Sequence, residues 1–240
     1  MQLHFEEYGK GDPVIFLHPG LETGQTSFQN QIEYFSRRFR VIVPDLRRHG
    51  NSYTEDFTNY FQQAALAILE LTEQLHLETY HIVGTSLGAL IAVHMLQHNQ
   101  HNISSCTLVG IMLEKPENWE VLNEENAHRL QLLMKDPNSI HYFNELHMKN
   151  NWKALLEISF HSNWYPFEQI QQLKEIEIPT LLIAGANAEF DIKYLFSHFN
   201  NSTFIEKAVI PKAGHLVHHD APNCFNIIVE NFIQRSVHEK

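Results

Sequence analysis

The chain has 240 residues, of which 43% are hydrophobic and 19% are charged. A chain of this length can bury one core as a single α/β domain. Its formal net charge of -11 at pH 7 repels phosphate backbones and anionic lipids, so we expect small-molecule partners and neither nucleic acid nor membrane. Two cysteines make no disulfide framework, and we find neither an apolar leader nor an 18-residue apolar run. The default expectation is therefore a cytoplasmic location.

Strand and helix patterns alternate through the first part of the chain. After a first strand pattern at residues 3–8, residues 14–17 form a continuous apolar run that is typical of a buried parallel strand. Residues 41–43 and 80–83 have the same character, and apolar side chains recur at helical spacing around residues 60–75. Short turns between alternating strands and helices predict βαβ units and a parallel sheet.

A long helical stretch separates the next two predicted strands, which lie around residues 106–111 and 179–184. Residues 114–178 contain several amphipathic helix patterns and all three tryptophans. An aromatic-rich insertion of this kind is how an α/β enzyme covers the carboxyl edge of its sheet. We therefore predict a core formed by residues 1–113 and 179–240, with a helical lid over 114–178. Most of the individual aromatic side chains are expected only to attach the lid to the core.

The sequence Gly-Thr-Ser-Leu-Gly at residues 84–88 lies between a predicted strand and an apolar helical run over residues 87–96. A serine on a sharp strand-to-helix turn has its Oγ lifted clear of the backbone, and flanking glycines let the two elements pass closely. A bare G-x-S-x-G pattern is weak, so its position between strand and helix is the stronger argument. Ser86 is the candidate nucleophile, and the alternative is an incidental serine in a glycine-rich turn.

Three further segments surround this motif in a distinctive order: His-Pro-Gly at residues 18–20, Asp-Leu-Arg-Arg-His-Gly at 45–50 and Ala-Gly-His at 213–215. With the serine motif, they resemble the α/β-hydrolase-fold superfamily, in its serine esterase and lactonase-like branch with a short helical lid. The resemblance covers nearly the whole chain. It implies Ser86 as nucleophile and His215 as general base.

The resemblance also bears on the number of strands. Family members commonly have a further strand ahead of the one at residues 3–8, and this sequence begins too late to contain it. The last predicted strand lies near residues 204–210, and a closing helix near 223–235. The expected fold class is therefore α/β, with a mostly parallel central sheet of about seven strands flanked by helices and a lid inserted between two strands.

The chemistry explains why these residue types are needed. A serine hydroxyl is a poor nucleophile until an imidazole removes its proton, and His215 has a pKa near working pH. The developing oxyanion needs two backbone donors, for which the family implies the N–H groups of Leu87 and Gly20. Pro19 has no N–H, and Leu21 is the second choice after Gly20.

The acid of the predicted triad departs from the family pattern, which places it three residues beyond a glycine after the penultimate strand. Here that position holds Ala188, which cannot orient an imidazole. Four explanations are open. The first is a shifted loop in which Glu189, our first choice, or Asp191 serves as the acid. The second is that the acid is Glu114, after the preceding strand. The third and fourth are that the site is naturally impaired, or that a deliberate Asp-to-Ala change inactivates it.

The seventeen histidines show no metal-ligand spacing, including the group at His94, His98 and His101. We interpret His218 and His219 as solvated neighbours of the predicted base. No metal and no cofactor are therefore expected.

The leading hypothesis is a serine hydrolase that cleaves a small ester, lactone or related acyl substrate through an acyl-enzyme on Ser86. One alternative is a non-catalytic ligand-binding or regulatory protein on the same fold, which would have a protein partner. The other is C–C bond hydrolysis, lyase chemistry or cofactor-free peroxidation at the same site. The identity of the substrate depends on which lid side chains face the pocket.

Overall fold

The computed structural model describes residues 1–98 and 100–238, with side chains through Ser236. In this part of the chain, seven strands form one sheet. They are β1 (Phe5–Tyr8), β2 (Pro13–Leu17), β3 (Arg40–Pro44), β4 (Tyr80–Thr85), β5 (Ile103–Val109), β6 (Thr180–Gly185) and β7 (Ile205–Ile210). Their order across the sheet is β1-β3-β2-β4-β5-β6-β7.

Only the edge strand β1 runs against its neighbour, because it pairs with β3 in the antiparallel direction. The other five pairings are parallel. The carboxyl ends of six strands therefore lie along one edge of the sheet, which is where open α/β sheets place their binding sites. The predicted fold class and the count of seven strands are confirmed.

Helices connect the strands. They are α1 (Gly24–Ser27), α2 (Gln29–Phe35), α3 (Tyr60–Gln74), α4 (Leu87–His98), α5 (Trp119–Leu133), α6 (Pro137–His147), α7 (Trp152–Ile158), α8 (Phe167–Gln171), α9 (Glu189–Ile192), α10 (Val217–Asp220) and α11 (Pro222–His238). A 3-10 helix over Gln172–Glu175 follows α8. Among the described residues, no helix combines the length and the hydropathy that crossing a lipid bilayer would require.

The core is divided by the sheet into two layers, as expected for strands whose side chains alternate between faces. Along β2, Ile15 and Leu17 pack with α3 and α4 on one face. Val14 and Phe16 belong to the opposite layer, with α2 and α11. All four side chains are fully buried. A sheet covered on both faces accounts for the continuous apolar runs seen in the sequence.

The helices α5 to α8 lie between β5 and β6 and form the helical insertion of residues 114–178. Its aromatic residues contact the core directly. The ring of Trp164 packs against Phe61, with ring centroids 4.6 Å apart. The hydroxyl of Tyr165 accepts a 2.7 Å hydrogen bond from the N–H of Met112, just beyond β5.

Two local differences from the sequence expectations concern short helices. The sequence pattern at residues 28–38 predicts one helix, and the structure has α2 there, but α2 already ends at Phe35, and the short α1 before it was not predicted. The single-turn helices α9 and α10 were not predicted. Four residues are too few to show a helical repeat of apolar positions.

Candidate active site

Ser86 occupies a sharp turn between β4 and α4. Its backbone has a φ of 52°, a left-handed conformation that is costly for a residue with a side chain. The flanking glycines make the turn sterically feasible. A Cβ on Gly84 would lie 2.6 Å from the carbonyl oxygen of Gly88, and a Cβ on Gly88 would overlap the carbonyl of Leu17. The turn therefore needs glycine on both sides of the serine.

The side chains of His215 and Ser86 are 129 positions apart in sequence but in contact in space. His215 follows β7, and its Nε2 lies 2.9 Å from the Ser86 Oγ. Its Nδ1 lies 2.7 Å from the Oδ2 of Asp191. Because a carboxylate can only accept, the imidazole carries its proton on Nδ1, which leaves the Nε2 lone pair facing the serine hydroxyl. The three side chains form a continuous hydrogen-bonded chain.

The structure places Asp191, and not Glu189, beside the imidazole. Glu189, the first choice from the sequence, is exposed at the start of α9, whereas Asp191 is only 7% exposed and contacts the imidazole. Glu114 instead lies 3.3 Å from His198. Ala188 directly precedes α9, and that helical turn carries the backbone around so that the acid lies three residues later than the family spacing predicts.

A carboxylate is therefore present beside the imidazole despite Ala188. Both explanations that assumed a missing acid, natural impairment and a deliberate Asp-to-Ala change, lose the observation that motivated them.

Leu87 directly follows the serine, and Gly20 lines the same cavity as Ser86 and Leu87. Gly20 follows β2, and a Cβ built on it would lie 3.8 Å from the Leu87 side chain. Within the described residues, neither N–H has a hydrogen-bond partner. The Leu21 N–H, in contrast, donates to the Nε2 of His49 at 3.3 Å, so it is not free to bind an oxyanion.

The sequence profile of the α/β-hydrolase fold family matches residues 13–138. This range includes the serine turn and residues 18–20, the oxyanion loop, so named for the role that the family resemblance implies. The chain belongs to the α/β-hydrolase fold family.

Individual proteins are similar to this chain over nearly its whole length. The chain is 23% identical to 3-oxoadipate enol-lactonase 2 of Acinetobacter baylyi, over 97% of this chain and 93% of the relative. The crystal structure of NosK from Streptomyces actuosus matches with a TM-score of 0.81 at 24% identity, over 95% of this chain and 99% of that one. A thermophilic esterase from Thermogutta terrifontis, solved with malate bound, matches with a TM-score of 0.77 at 19% identity, over 98% and 93%.

The pKa of His215 in this hydrolase reflects opposing influences. Burial lowers it, but the hydrogen bond and the negative charge of Asp191 raise it, and the cationic Arg129 in α5 lowers it. The net result is a pKa above the ordinary value of histidine. Gly110 packs behind the ring with a φ of 68°, and a Cβ there would lie 3.1 Å from two ring atoms of His215. The imidazole of His215 is therefore held by its hydrogen bond to Asp191 and by packing against Gly110.

Two buried histidines support the oxyanion loop from below. His18 accepts a 2.8 Å hydrogen bond from the N–H of Leu46 through Nε2, and its Nδ1 lies 2.7 Å from the Pro19 carbonyl. Burial lowers the pKa of His18 to about 3 and the pKa of His49 well below its ordinary value. Both rings are therefore neutral at physiological pH, and His49 can accept the Leu21 N–H described above.

The helical insertion contributes a third buried histidine, which the sequence analysis did not single out. His147, at the end of α6, accepts a 3.1 Å hydrogen bond from the N–H of Gly50 through Nδ1. The Asn150 side-chain amide donates to the Gly50 carbonyl at 2.9 Å. Burial lowers the pKa of His147 to about 4. The ring of His49 lies between those of His18 and His147 and makes an edge-to-face contact with each. These three neutral imidazoles therefore connect the insertion to the oxyanion loop.

A cavity of about 930 Å³ opens above Ser86. Its walls combine core and insertion, and most of the lining side chains are apolar; they include Leu87, Leu90, Met112, Trp119, Leu155 and Trp164. The charged residues on its wall, besides the triad, are Glu125, Arg129 and Glu189. Arg129 donates a 2.8 Å hydrogen bond to Asn126, which also lines the cavity. The volume and the mainly apolar walls are typical of a binding site for a small molecule.

The remaining histidines differ from the sequence interpretation in one respect. His218, interpreted as solvated, is fully buried, and its Nε2 lies 3.0 Å from the Oγ of Ser27. Its neighbour His219 is exposed, as expected. His94 contacts the Leu90 carbonyl of its own helix at 3.0 Å. Burial of His218 was not visible in the sequence, because α10 shows no periodicity to reveal which side faces inward.

Proposed function

We propose that this α/β-hydrolase cleaves a small ester, lactone or related acyl substrate through a covalent acyl-enzyme on Ser86. One observation carries the proposal: Asp191, His215 and Ser86 are hydrogen-bonded in series, at 2.7 Å and 2.9 Å, beneath an open cavity. This is the arrangement by which a weak hydroxyl nucleophile is activated by a base that a third group orients.

In the first half of the reaction, the Nε2 of His215 removes the proton of Ser86 as Oγ attacks the substrate carbonyl carbon. The carbonyl oxygen becomes an oxyanion, which the N–H groups of Gly20 and Leu87 stabilise. The carboxylate of Asp191 stabilises the imidazolium and keeps its orientation. Collapse of the tetrahedral intermediate breaks the bond to the leaving oxygen, which takes the proton from Nε2 and departs as an alcohol.

In the second half, a water molecule attacks the acyl carbon while Nε2 takes one of its protons. The second tetrahedral intermediate breaks the bond to Oγ, and the proton returns from the imidazolium to the serine. The carboxylic acid is released and the free enzyme is restored. A lactone follows the same course, except that the leaving alcohol remains part of the acyl chain, so that hydrolysis releases a single hydroxy acid.

We further propose that residues 114–178 act as a lid that selects the substrate, since the insertion supplies much of the cavity wall. The enol-lactonase relative and the esterase with the same fold support a carboxylic ester or lactone as the reacting bond. A cytoplasmic location and a small-molecule acyl partner belong to the same proposal.

The alternatives from the sequence have less support. The non-catalytic hypothesis is based on Ala188 and on the aromatic-rich insertion, and Asp191 beside the imidazole removes the first of these two arguments. Carbon–carbon hydrolysis would use the same three side chains, and no contact in the described part of the cavity favours it over ester cleavage.

A fluorophosphonate probe tests the nucleophile, with intact-mass analysis of the labelled chain and an ester panel of short acyl groups. We expect one adduct on the wild type, none on S86A, and turnover of acetyl or butyryl esters by the wild type alone. S159A is the matched control, because Ser159 lines the same cavity but bonds the Leu156 carbonyl; it should label normally. An adduct that persists in S86A, or a wild type that resists labelling while a control esterase reacts, would overturn the proposal.

A further inference from the structure

Three potential metal ligands meet on the outer side of the oxyanion loop. Glu22 lies two residues beyond Gly20, and His218 and His219 lie in α10, just beyond His215. One ligand atom from each of Glu22, His218 and His219 lies within 4.8 Å of the other two. The Nε2 of His219 is 3.6 Å from the Oε2 of Glu22. The cluster connects the two loops that carry the oxyanion donor and the base.

Two atoms of this cluster are unsatisfied. Within the described residues, the Nδ1 of His218 and the Oε2 of Glu22 are both buried without a hydrogen-bond partner. His218 is completely buried. A buried acceptor without a partner is costly and uncommon in folded proteins. Two of them side by side indicate that the cluster binds something that supplies positive charge or a donor.

The second nitrogen of His218 is held as a metal-binding histidine requires. Its Nε2 lies 3.0 Å from the Oγ of Ser27, so a proton on Nε2 is bonded and the Nδ1 lone pair is left without a partner among the described residues. Metal-ligating histidines usually donate their other N–H to such a partner.

The donor set and the spacing fit a transition metal of the zinc class. Two imidazoles and one carboxylate form a common three-ligand zinc set with an open fourth position. With metal–ligand bonds of about 2.1 Å, ligand atoms in a tetrahedral site are about 3.4 Å apart, close to the observed 3.6 Å between His219 and Glu22.

The cluster is also accessible. The His219 and Glu22 side chains are 36% and 24% exposed, which gives an ion a path from solvent. His219 Nε2 now lies 2.9 Å from the Ser27 carbonyl. Metal binding would break this hydrogen bond, turn the ring towards Glu22 and leave the ring proton on Nδ1, so that Nε2 can serve as a ligand.

We propose that Glu22, His218 and His219 form a binding site for one divalent transition-metal ion of the zinc class. The site lies outside the Ser86 and His215 pair and does not depend on the proposed reaction. Its effect is structural: the ion ties the oxyanion loop to α10, which neutralises the carboxylate and satisfies both buried acceptors.

The test measures Zn²⁺ binding by the chelator-treated full-length chain, by competition with a chromophoric chelator. The variants are E22Q and H219N, since His218 is in the core and its replacement would confound folding. H141N is the matched control, because exposed His141 and Glu145 are also 3.6 Å apart but belong to no group of three potential ligands among the described residues. We expect one zinc equivalent on the wild type and on H141N, with affinity at least about tenfold weaker in E22Q and H219N.

Thermal unfolding gives an independent readout. Zinc at about one hundred times its Kd should raise the Tm of the wild type by about 5–10 °C, and the increase should be lost in H219N. Equal zinc affinity in H219N and H141N would show adventitious binding by surface histidines and overturn the proposal. So would a wild type that binds no zinc.

Discussion

Replacing Asp191 with asparagine tests the corrected acid assignment. The variant keeps the shape of the side chain but removes the carboxylate that contacts His215 at 2.7 Å. A charge-assisted hydrogen bond of this kind contributes about 1.5–3 kcal/mol, which alone would slow the reaction by about 10- to 150-fold. We expect a larger loss, because the carboxylate also fixes the tautomer of the imidazole.

A change in the tautomer of His215 explains the rest of the expected loss in rate. An asparagine amide can donate to Nδ1 of His215, and the ring then carries its proton on Nε2, the atom that must accept the Ser86 proton. Loss of the tautomer and of imidazolium stabilisation together cost about 10⁴-fold in kcat in serine hydrolases with this chemistry, equivalent to about 5.4 kcal/mol. We therefore expect D191N to fall by about 10⁴-fold while its Tm and fluorophosphonate site are retained.

The assay is hydrolysis of p-nitrophenyl acetate under saturating conditions, with E189Q as the matched control. Glu189 lies in the same four-residue helix, is exposed and does not contact the imidazole, so E189Q should keep its kcat within about twofold of the wild type. A D191N variant with near wild-type kcat, or an E189Q variant that loses activity instead, would refute the reasoning.

Three further predictions concern charge, packing and pH. R129Q should move the acidic limb of the pH profile of kcat/KM to higher pH, because Arg129 lowers the pKa of His215 and the reaction needs the neutral imidazole. An acidic limb that stays in place, or that moves to lower pH, would contradict this expectation. G88A should lose about 3 kcal/mol or more of unfolding free energy, measured in urea, because the added Cβ would overlap backbone atoms. G20A is the control and should keep its stability, because its Cβ would meet only a side chain, at 3.8 Å. The free energy of unfolding should fall as the pH drops from about 6.5 towards 4. The reason is that His147 binds a proton near pH 6.5 in the unfolded chain but only near pH 4 in the folded protein. The H147F variant should show a shallower pH dependence in the same urea experiments.

The features that the sequence predicted well are local ones. The serine turn is encoded within five residues, because the glycines at 84 and 88 are required by contacts with immediate neighbours and with β2. The buried strands are visible as apolar runs, since both faces of the sheet are covered. These signals need no knowledge of distant parts of the chain.

The acid shows why spacing alone was insufficient. A family rule that counts residues from Gly185 ends at Ala188, but the turn of α9 places Asp191 beside the imidazole and turns Glu189 towards solvent. The choice between carboxylates two residues apart depends on the phase of a single helical turn. No periodic pattern in four residues reports that phase.

The coupling between the insertion and the oxyanion loop was also beyond sequence reasoning. The hydrogen bond from Gly50 to His147 spans 97 positions, and a histidine near the end of an amphipathic helix looks like a solvated residue. Likewise, burial of His218 follows from packing against α1, where Ser27 meets its ring across 191 positions.

The most direct test of the central claim, that Ser86 and His215 act as one catalytic unit, is a comparison of S86A, H215A and the double variant in ester hydrolysis. Residues that act as a unit give strongly non-additive losses, so the double variant should hydrolyse esters at about the rate of either single variant. If the two losses instead multiply, the side chains contribute independently and the account is contradicted.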